Sequence, residues 1–178
     1  ADKKPYKKLY KKPYQEISTV FVGGGTPSVL SPMQIRRLFA CLRQNFSIRP
    51  DAEISMEANP GTLDGEKLSA CREAGVNRLS IGLQSADDGL LRTLGRIHTW
   101  EQFQENYAAA RRAGFTNINI DLMSALPGQS LDNYVDTLEK VTALEPEHIS
   151  SYSLILEEGT PFFASEEIRR QLPDEGVD

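Results

Sequence analysis

A run of three glycines follows an apolar segment near the start of the chain, and such a run could do binding chemistry. Val20-Phe21-Val22 leads directly into Gly23-Gly24-Gly25-Thr26. Because glycine has no Cβ, neighbouring backbone N–H groups can converge there on a carboxylate or a phosphate. The run predicts a turn against which the charged or polar end of a ligand lies. A tight turn without any ligand remains the alternative.

Polar side chains also lie where four later apolar segments end. Glu57 precedes Asn59-Pro60, Gln84 and Asp121 lie at the ends of the next two segments, and Glu157-Glu158 follows the last. The carboxyl ends of parallel strands gather on one face of a barrel, where such enzymes place their sites. We therefore expect these side chains close to the glycine turn. For Glu57 the alternative is a cap on the turn at Asn59-Pro60.

The elements that position these residues alternate along the chain. Strand-like runs are predicted over residues 17–22, 53–57, 78–83, 116–122 and 148–156. Helices between them are indicated by caps and helical spacing, with starts at Ser31-Pro32, Asp64, Ser85, Thr99 and Ser130. The order strand, helix, strand, helix is typical of parallel βα units.

An internal repeat supports this reading. Residues 71–85 (CREAGVNRLSIGLQS) align with residues 110–124 (ARRAGFTNINIDLMS) at an offset of 39 residues, so helix end, glycine and following strand recur as one module. Repeated βα modules favour an α/β fold of the TIM-like (β/α) barrel type, with a doubly wound sheet as the alternative. Five strands cannot close an eight-stranded barrel. We therefore predict an open, partial barrel of parallel strands with outer helices.

Composition excludes some classes of protein. The 178 residues are 39% hydrophobic with a net charge of −5, which argues against a general nucleic-acid binder. No apolar run reaches the roughly 18 residues that span a bilayer, and no export leader is visible, so a cytoplasmic protein without a membrane span is expected. Cys41 and Cys71 are predicted to be reduced, buried, small hydrophobic residues.

Three segments are predicted. Residues 1–16 form a lysine- and tyrosine-rich lead, interpreted as a solvated arm, with contact to RNA or an acidic surface as the alternative. Residues 17–164 form the partial barrel, and residues 165–178 form a polar tail. His98 and His148 are expected to be structural or exposed, because neither has a second ligand at metal-binding spacing.

Six segments together carry a family resemblance. They are FVGGGTPSVLSPMQIRRL, EISMEANPGTL, NRLSIGLQS, LLRTLGR, NINIDLMSALPGQS and HISSYSLILEEGTPF, which lie in this order between Ile17 and Phe163. The chain resembles the radical S-adenosylmethionine family of oxygen-independent coproporphyrinogen III oxidases. EANPGT, LGRIHT and SLILEEGTPF are most similar to the branch of oxidase-like proteins proposed to be haem chaperones.

The resemblance implies eight contacts with S-adenosylmethionine. The positions that match are Gly24, Gly25, Thr26, Glu57, Gln84, Arg96, Asp121 and Ile155. The glycine turn would face the methionyl group, Glu57 the ribose hydroxyls and Ile155 the adenine. Arg96 suits the cofactor carboxylate because its fork can bind two oxygens at once, although a solvated cation at a helix end is the alternative reading. No catalytic residue is assigned.

The chain departs from the family in its cysteines. Relatives carry C-x-x-x-C-x-x-C, whose thiolates hold a [4Fe–4S] cluster, whereas this sequence has two cysteines in total and lacks the motif. We expect no metal site and no cluster here, and interpret the chain as the central fragment of a longer protein. A second departure is Ser124-Ala125, where many relatives have Tyr-Gly.

The resemblance leaves two functions for that longer protein. The first is haem handling by a chaperone, with porphyrin or haem as the small-molecule ligand. The alternative is a true oxidase that decarboxylates coproporphyrinogen III through a radical derived from S-adenosylmethionine. Whether the protein is an enzyme therefore stays open at this point.

Overall fold

Five parallel strands form one sheet in the order of the sequence, β1-β2-β3-β4-β5. The computed structural model describes residues 16–172. The strands are β1 (Ile17–Val22), β2 (Ile48–Ala58), β3 (Arg78–Gln84), β4 (Ile118–Ser124) and β5 (His148–Ser153). The helices are α1 (Pro32–Asn45), α2 (Gly65–Glu73), α3 (Asp88–Thr93), α4 (Trp100–Arg112), α5 (Leu131–Thr142), α6 (Pro161–Ala164) and α7 (Glu166–Arg170), and a 3₁₀ turn covers Pro27–Val29.

The sequential strand order decides between the two predicted architectures. Each strand pairs in parallel with the next one along the chain, without the change of direction that marks a doubly wound sheet. The open, partial TIM-like barrel is confirmed. The repeat also appears in the pairing of β3 with β4. Ile81 pairs with Ile120, and these two residues are separated by the same 39-residue offset as the repeat in the sequence.

Alternation along the strands gives the sheet two unlike faces. Apolar side chains point toward the helices and form one core, to which α1 contributes Phe39 and α4 contributes Phe103. The strand residues of this core are Ile54, Met56, Ala58, Leu79, Ile81, Leu83, Ile118, Ile120 and Leu122. The intervening strand residues face the opposite side, which is the concave side of the partial barrel and is mostly polar.

Side chains cap the helices at the predicted positions. Ser31, Thr99 and Ser130 each form a capping box, and Asp64 accepts a hydrogen bond from the Lys67 N–H. The helix predicted to start at Ser85 is α3, which begins three residues later, at Asp88. Asp87 is the N-cap of α3, because its carboxylate accepts the N–H groups of two following residues.

The structure corrects several strand and residue predictions. β2 begins at Ile48 instead of residue 53, because its first residues pair irregularly with β1 through a register shift. β5 ends at Ser153, three residues before the predicted end. Cys71 is buried, but Cys41 is exposed. Cys41 follows the buried Phe39 by two positions on α1, which turns it to the outer side of that helix.

The predicted terminal segments lie largely outside the described residues. Residues 1–15 of the lead and residues 173–178 of the tail fall there. The part of the tail that is described contains the short helix α7. No helix within residues 16–172 is both long and apolar enough to cross a lipid bilayer.

Candidate functional site

A cavity of about 320 Å³ lies at the carboxyl ends of the strands, on the polar side of the sheet. Six of the eight predicted contacts line it, together with six residues that were not predicted. The lining consists of Gly25, Thr26, Pro27, Glu57, Ala58, Asn59, Ser80, Gly82, Gln84, Arg96, Asp121 and Tyr152. Strand ends contribute most of these residues, as expected for a parallel barrel.

The glycine turn needs each of its glycines for a physical reason. A Cβ on Gly23 would lie 2.8 Å from the Glu57 carboxyl carbon, so a side chain there would force Glu57 out of its position. Gly24 and Gly25 have φ angles of +85° and +68°, which favour glycine, and open space lies beside both. The Gly24 N–H donates to Glu57 Oε2 at 3.0 Å. Glu57 therefore caps the glycine turn, and the alternative cap at Asn59-Pro60 is not what the structure shows.

Asn59 connects this turn with the rest of the pocket. Its backbone N–H donates to Ser28 Oγ at 3.0 Å, and its Nδ2 donates to Thr26 Oγ1 at 3.1 Å. Behind it, Lys67 Nζ donates to the backbone carbonyls of Ser28 and Thr62 at 3.1 and 2.7 Å. The loop after β1 and the loop after β2 are thereby bonded into one wall.

Arg96 lies inside the pocket, so the reading of it as a solvated cation does not hold. Its Nη2 donates to Asn59 Oδ1 at 2.7 Å and to the Gly82 carbonyl at 2.9 Å. Burial lowers the pKa of the guanidinium, although the neighbouring Tyr152 acts in the opposite sense. Among the described residues, none accepts a hydrogen bond from Nε or Nη1, and these donors remain for a ligand.

Gln84 has an unusual backbone conformation at the end of β3. Its φ is +74°, uncommon for a residue with a side chain, and the pairing with β4 shifts register between Gly82 and Gln84. The bulge places its amide beside Tyr152, whose hydroxyl donates to Gln84 Oε1 at 3.0 Å. Burial, with the nearby Asp121 charge, raises the pKa of Tyr152. Strain of this kind is frequent at binding sites.

A buried network holds the carboxylate of Asp121. Ser80 Oγ donates to its Oδ2 at 2.9 Å, and Asn119 Nδ2 donates to its Oδ1 at 2.7 Å. On the other side, Asn119 Oδ1 accepts from Ser150 Oγ at 3.1 Å and contacts His148 Nδ1. Asp121 is thus held by Ser80 of the neighbouring strand β3 and by Asn119 of its own strand β4, and each carboxylate oxygen can still accept a further hydrogen bond.

Two predicted contacts do not line the cavity directly. Gly24 lies next to it and reaches it through Glu57. Ile155 follows the end of β5 and has a side chain that is 78% exposed. The contact of Ile155 with adenine stays a prediction. The acidic pair Glu157-Glu158 is also absent from the residues that line the cavity.

Of the six pocket residues that were not predicted as contacts, three have polar side chains, namely Asn59, Ser80 and Tyr152. A signal for Ser80 was present, because polar and apolar residues alternate along β2, β3 and β4. A parallel sheet covered on both faces reads as a continuous apolar run instead. The alternation therefore predicts a polar inner face, on which Glu57 pairs directly with Ser80 and Gly82 with Asp121.

The two histidines lie apart from any metal-binding arrangement. His98 is buried, with Nε2 bonded to the Leu83 carbonyl at 3.2 Å, and burial lowers its pKa. His148 is exposed and contacts Asn119. Within residues 16–172, no group of three His, Cys, Asp or Glu side chains is placed to hold a metal ion.

Comparison with known proteins gives the family. The family model described as the radical SAM superfamily matches residues 6–141. The chain belongs to the radical SAM superfamily. The heme chaperone HemW of Bacillus subtilis is 42% identical over 151 residues, and HemW of Lactococcus lactis is 40% identical over 148 residues. Each alignment covers 83% of this chain and 39% of the relative, so the chain spans about two fifths of their length.

A solved structure shows the same relationship. Coproporphyrinogen III oxidase (HemN) from Escherichia coli superposes with a TM-score of 0.82 at 35% identity. The superposition covers 92% of this chain and 38% of the oxidase. These findings confirm the resemblance to oxidase-like proteins and to their haem-chaperone branch.

Membership in this superfamily implies S-adenosylmethionine and a [4Fe–4S] cluster in the complete protein. The described residues do not fit a cluster, because the two cysteines of the sequence lie in α1 and α2 instead of at the strand ends. The expectation that this chain binds no cluster stays a prediction. The polar pocket, by contrast, brings together two carboxylates, one guanidinium and several hydroxyl and amide groups.

Proposed function

We propose that this chain is the S-adenosylmethionine-binding part of a haem chaperone of the HemW kind. One observation carries the proposal: Thr26, Glu57, Gln84, Arg96 and Asp121 converge on a single cavity from five separate places in the sequence. All five match cofactor contacts implied by the family resemblance. The relatives named HemW support the haem-chaperone assignment of the full-length protein.

The charge of the pocket suits the cofactor. Glu57 and Asp121 carry one negative charge each, and Arg96 carries one positive charge. S-adenosylmethionine has a sulfonium, an ammonium and a carboxylate, so its net charge is positive. A pocket with a net negative charge and one separate guanidinium complements this arrangement of charges.

Each side of the pocket has a proposed role. Gly25 and the carbonyl of Gly24 would meet the amino-acid end of the cofactor, beside Thr26, because the Gly24 N–H is already bonded to Glu57. Arg96 binds the carboxylate through its remaining donors. Glu57 and Asp121 accept hydrogen bonds from ammonium or hydroxyl groups.

The remaining predicted contacts complete the pocket. Gln84 offers an amide that Tyr152 holds in place. Ile155 is proposed to supply apolar contact with the adenine.

The chain contributes binding and orientation to the chemistry. A cluster bound by the full-length protein would supply the electron that cleaves S-adenosylmethionine. Burial of Arg96 and the fixed carboxylate of Asp121 hold the cofactor in one orientation. We also infer a cytoplasmic place of action, because both cysteines are unpaired thiols.

The true oxidase is a second candidate, which the similarity to HemN supports. The two functions are separated by assaying the full-length protein for transfer of haem to an acceptor apoprotein and for decarboxylation of coproporphyrinogen III. Transfer without decarboxylation is expected. Decarboxylation with turnover would favour the oxidase.

The pocket itself is tested by calorimetry of S-adenosylmethionine binding to the full-length protein. Glu57→Ala and Asp121→Ala should each weaken binding, because a charge-assisted hydrogen bond contributes about 1.5–3 kcal/mol. Glu139→Ala removes the same charge from the exposed surface of α5 and serves as the matched control. Unchanged affinity in both pocket variants would refute the assignment.

A further inference from the structure

We propose that Asn59 is a positioning residue that fixes Arg96 and Thr26 relative to each other, so that together they recognise the carboxylate of the ligand. The proposal rests on the proposed function, because it assumes that S-adenosylmethionine occupies the pocket. It adds a role for a residue that neither end-of-strand reasoning nor the family resemblance selected as a contact.

The side chain of Asn59 bonds in two directions at once. Oδ1 accepts from Arg96 Nη2 at 2.7 Å, and Nδ2 donates to Thr26 Oγ1 at 3.1 Å. The orientation of the amide is set by chemistry, because arginine has only donors and the amide oxygen must face it. The amide nitrogen is thereby directed to Thr26. One planar group spans the two loops that contribute these residues.

The backbone of Asn59 is itself held in place. Its N–H donates to Ser28 Oγ at 3.0 Å, and its carbonyl accepts from Thr62 Oγ1 at 2.6 Å. Ser28 and Thr62 also share a hydrogen bond. The amide of Asn59 therefore projects from a fixed point at the end of β2, which is what a positioning residue requires.

Close packing leaves Arg96 one place beside Asn59. A Cβ added to Gly82 would lie 3.2 Å from both Arg96 Nη2 and Asn59 Oδ1, so a side chain there would displace both groups by a few tenths of an ångström. The carbonyl of Gly82 accepts the second bond of Nη2 at 2.9 Å. With Nη2 held from two sides, Nε and Nη1 are the Arg96 donors without a partner among the described residues, and the proposal assigns them to the ligand carboxylate.

Removal of the Asn59 amide should therefore damage recognition of the carboxylate specifically. The probes are S-adenosylmethionine and its decarboxylated analogue, which differ in that group alone. Their dissociation constants are measured by amide NMR titration of the chain, a method that detects binding into the millimolar range. The readout is the ratio of the two constants, which a general loss of folding would not change.

Asn59→Ala should reduce the preference for S-adenosylmethionine over the analogue about tenfold, the effect of one charge-assisted hydrogen bond. Asn59→Asp keeps an acceptor for Arg96 but loses the amide donor to Thr26 and adds a negative charge near the ligand carboxylate, so the preference should stay as low as in Asn59→Ala. Asn106→Ala is the matched control, because Asn106 bonds the nearby Gly61 N–H at 2.8 Å and has no bond to Arg96 or Thr26.

Each outcome decides the question. If Asn59→Ala weakens both ligands equally, or neither, Asn59 has no role in carboxylate recognition and the inference is wrong. If Asn59→Asp restores the preference, an acceptor for Arg96 is sufficient by itself and the proposed role of the bond to Thr26 is wrong. If the unmodified chain binds neither ligand, the proposed function fails, and the inference fails with it.

Discussion

Gly82→Ala should impair the pocket much more than the fold. The new Cβ would lie 2.9 Å from Gln84 Nε2 and 3.2 Å from Arg96 Nη2, whereas ordinary contacts begin at 3.4 Å. The amide of Gln84 must then retreat by about 0.5 Å and the guanidinium by about 0.2 Å. Arg96 Nη2 is bonded to the Gly82 carbonyl at 2.9 Å, so its displacement strains that bond as well.

The size of the effect follows from the groups that move. Loss of one hydrogen bond to a charged group costs about 1.5–3 kcal/mol, which corresponds to a roughly 10- to 150-fold higher dissociation constant for S-adenosylmethionine. The crowded atoms are the ends of flexible side chains, so the free energy of unfolding should fall by less than about 1 kcal/mol. Alanine also restricts the unfolded chain more than glycine does, which offsets part of that loss of stability.

The assay combines NMR titration with chemical denaturation of Gly82→Ala. Gly65→Ala is the matched control, because Gly65 begins α2 with open space around its Cβ position. The control should retain both affinity and stability. If Gly82→Ala binds S-adenosylmethionine as the unmodified chain does, Arg96 and Gln84 are not contacts. If it unfolds instead, the packing argument is wrong.

Three further predictions concern other parts of the chain. Iodoacetamide at pH 8 should modify the exposed Cys41 and spare Cys71, because burial raises the pKa of Cys71 to about 11; mass spectrometry showing equal rates would contradict this. Burial raises the pKa of Glu147, but bonds from Arg111 and a backbone N–H outweigh it and hold the pKa below its usual range. The resulting stabilisation exists above the unfolded-state pKa of about 4.3 and disappears as pH falls through the folded-state pKa. The difference in unfolding free energy between the unmodified chain and Glu147→Gln should be at most about 1 kcal/mol at pH 7 for this partly exposed pair, and should shrink toward pH 3; a constant difference would refute it. Phe103→Ala, at a fully buried position, should cost about 3–5 kcal/mol in urea denaturation, and a loss below 1 kcal/mol would show that the core is packed differently.

The sequence predicted the architecture because the fold is built from a local repeat. The offset of 39 residues between two βα modules equals the pairing of Ile81 with Ile120, so the register of β3 and β4 could be read before the structure. The start of β2 could not be predicted from the sequence, because Arg49-Pro50-Asp51 has the composition of a turn. Only its irregular pairing with β1 shows that these residues belong to the strand.

The site was partly predictable for a different reason. Polar residues at strand ends identified Glu57, Gln84 and Asp121, whose positions follow from topology alone. Arg96 lies after a helix, so the family resemblance was needed to select it. Asn59 was noted in the turn after Glu57, but its role was not predicted, because its bond to Arg96 joins residues 37 positions apart and no local pattern encodes such a contact.

The pocket at the strand ends is proposed to bind S-adenosylmethionine. The most direct measurement is a map of amide NMR shifts of the isotope-labelled chain, titrated with S-adenosylmethionine to millimolar concentration. Saturable shifts are expected at Gly24 and Gly25, at Gly82 and at the Arg96 Nε–H, and they should be lost together in Asp121→Ala. Shifts that avoid these groups, or a titration without any saturable change, would contradict the account.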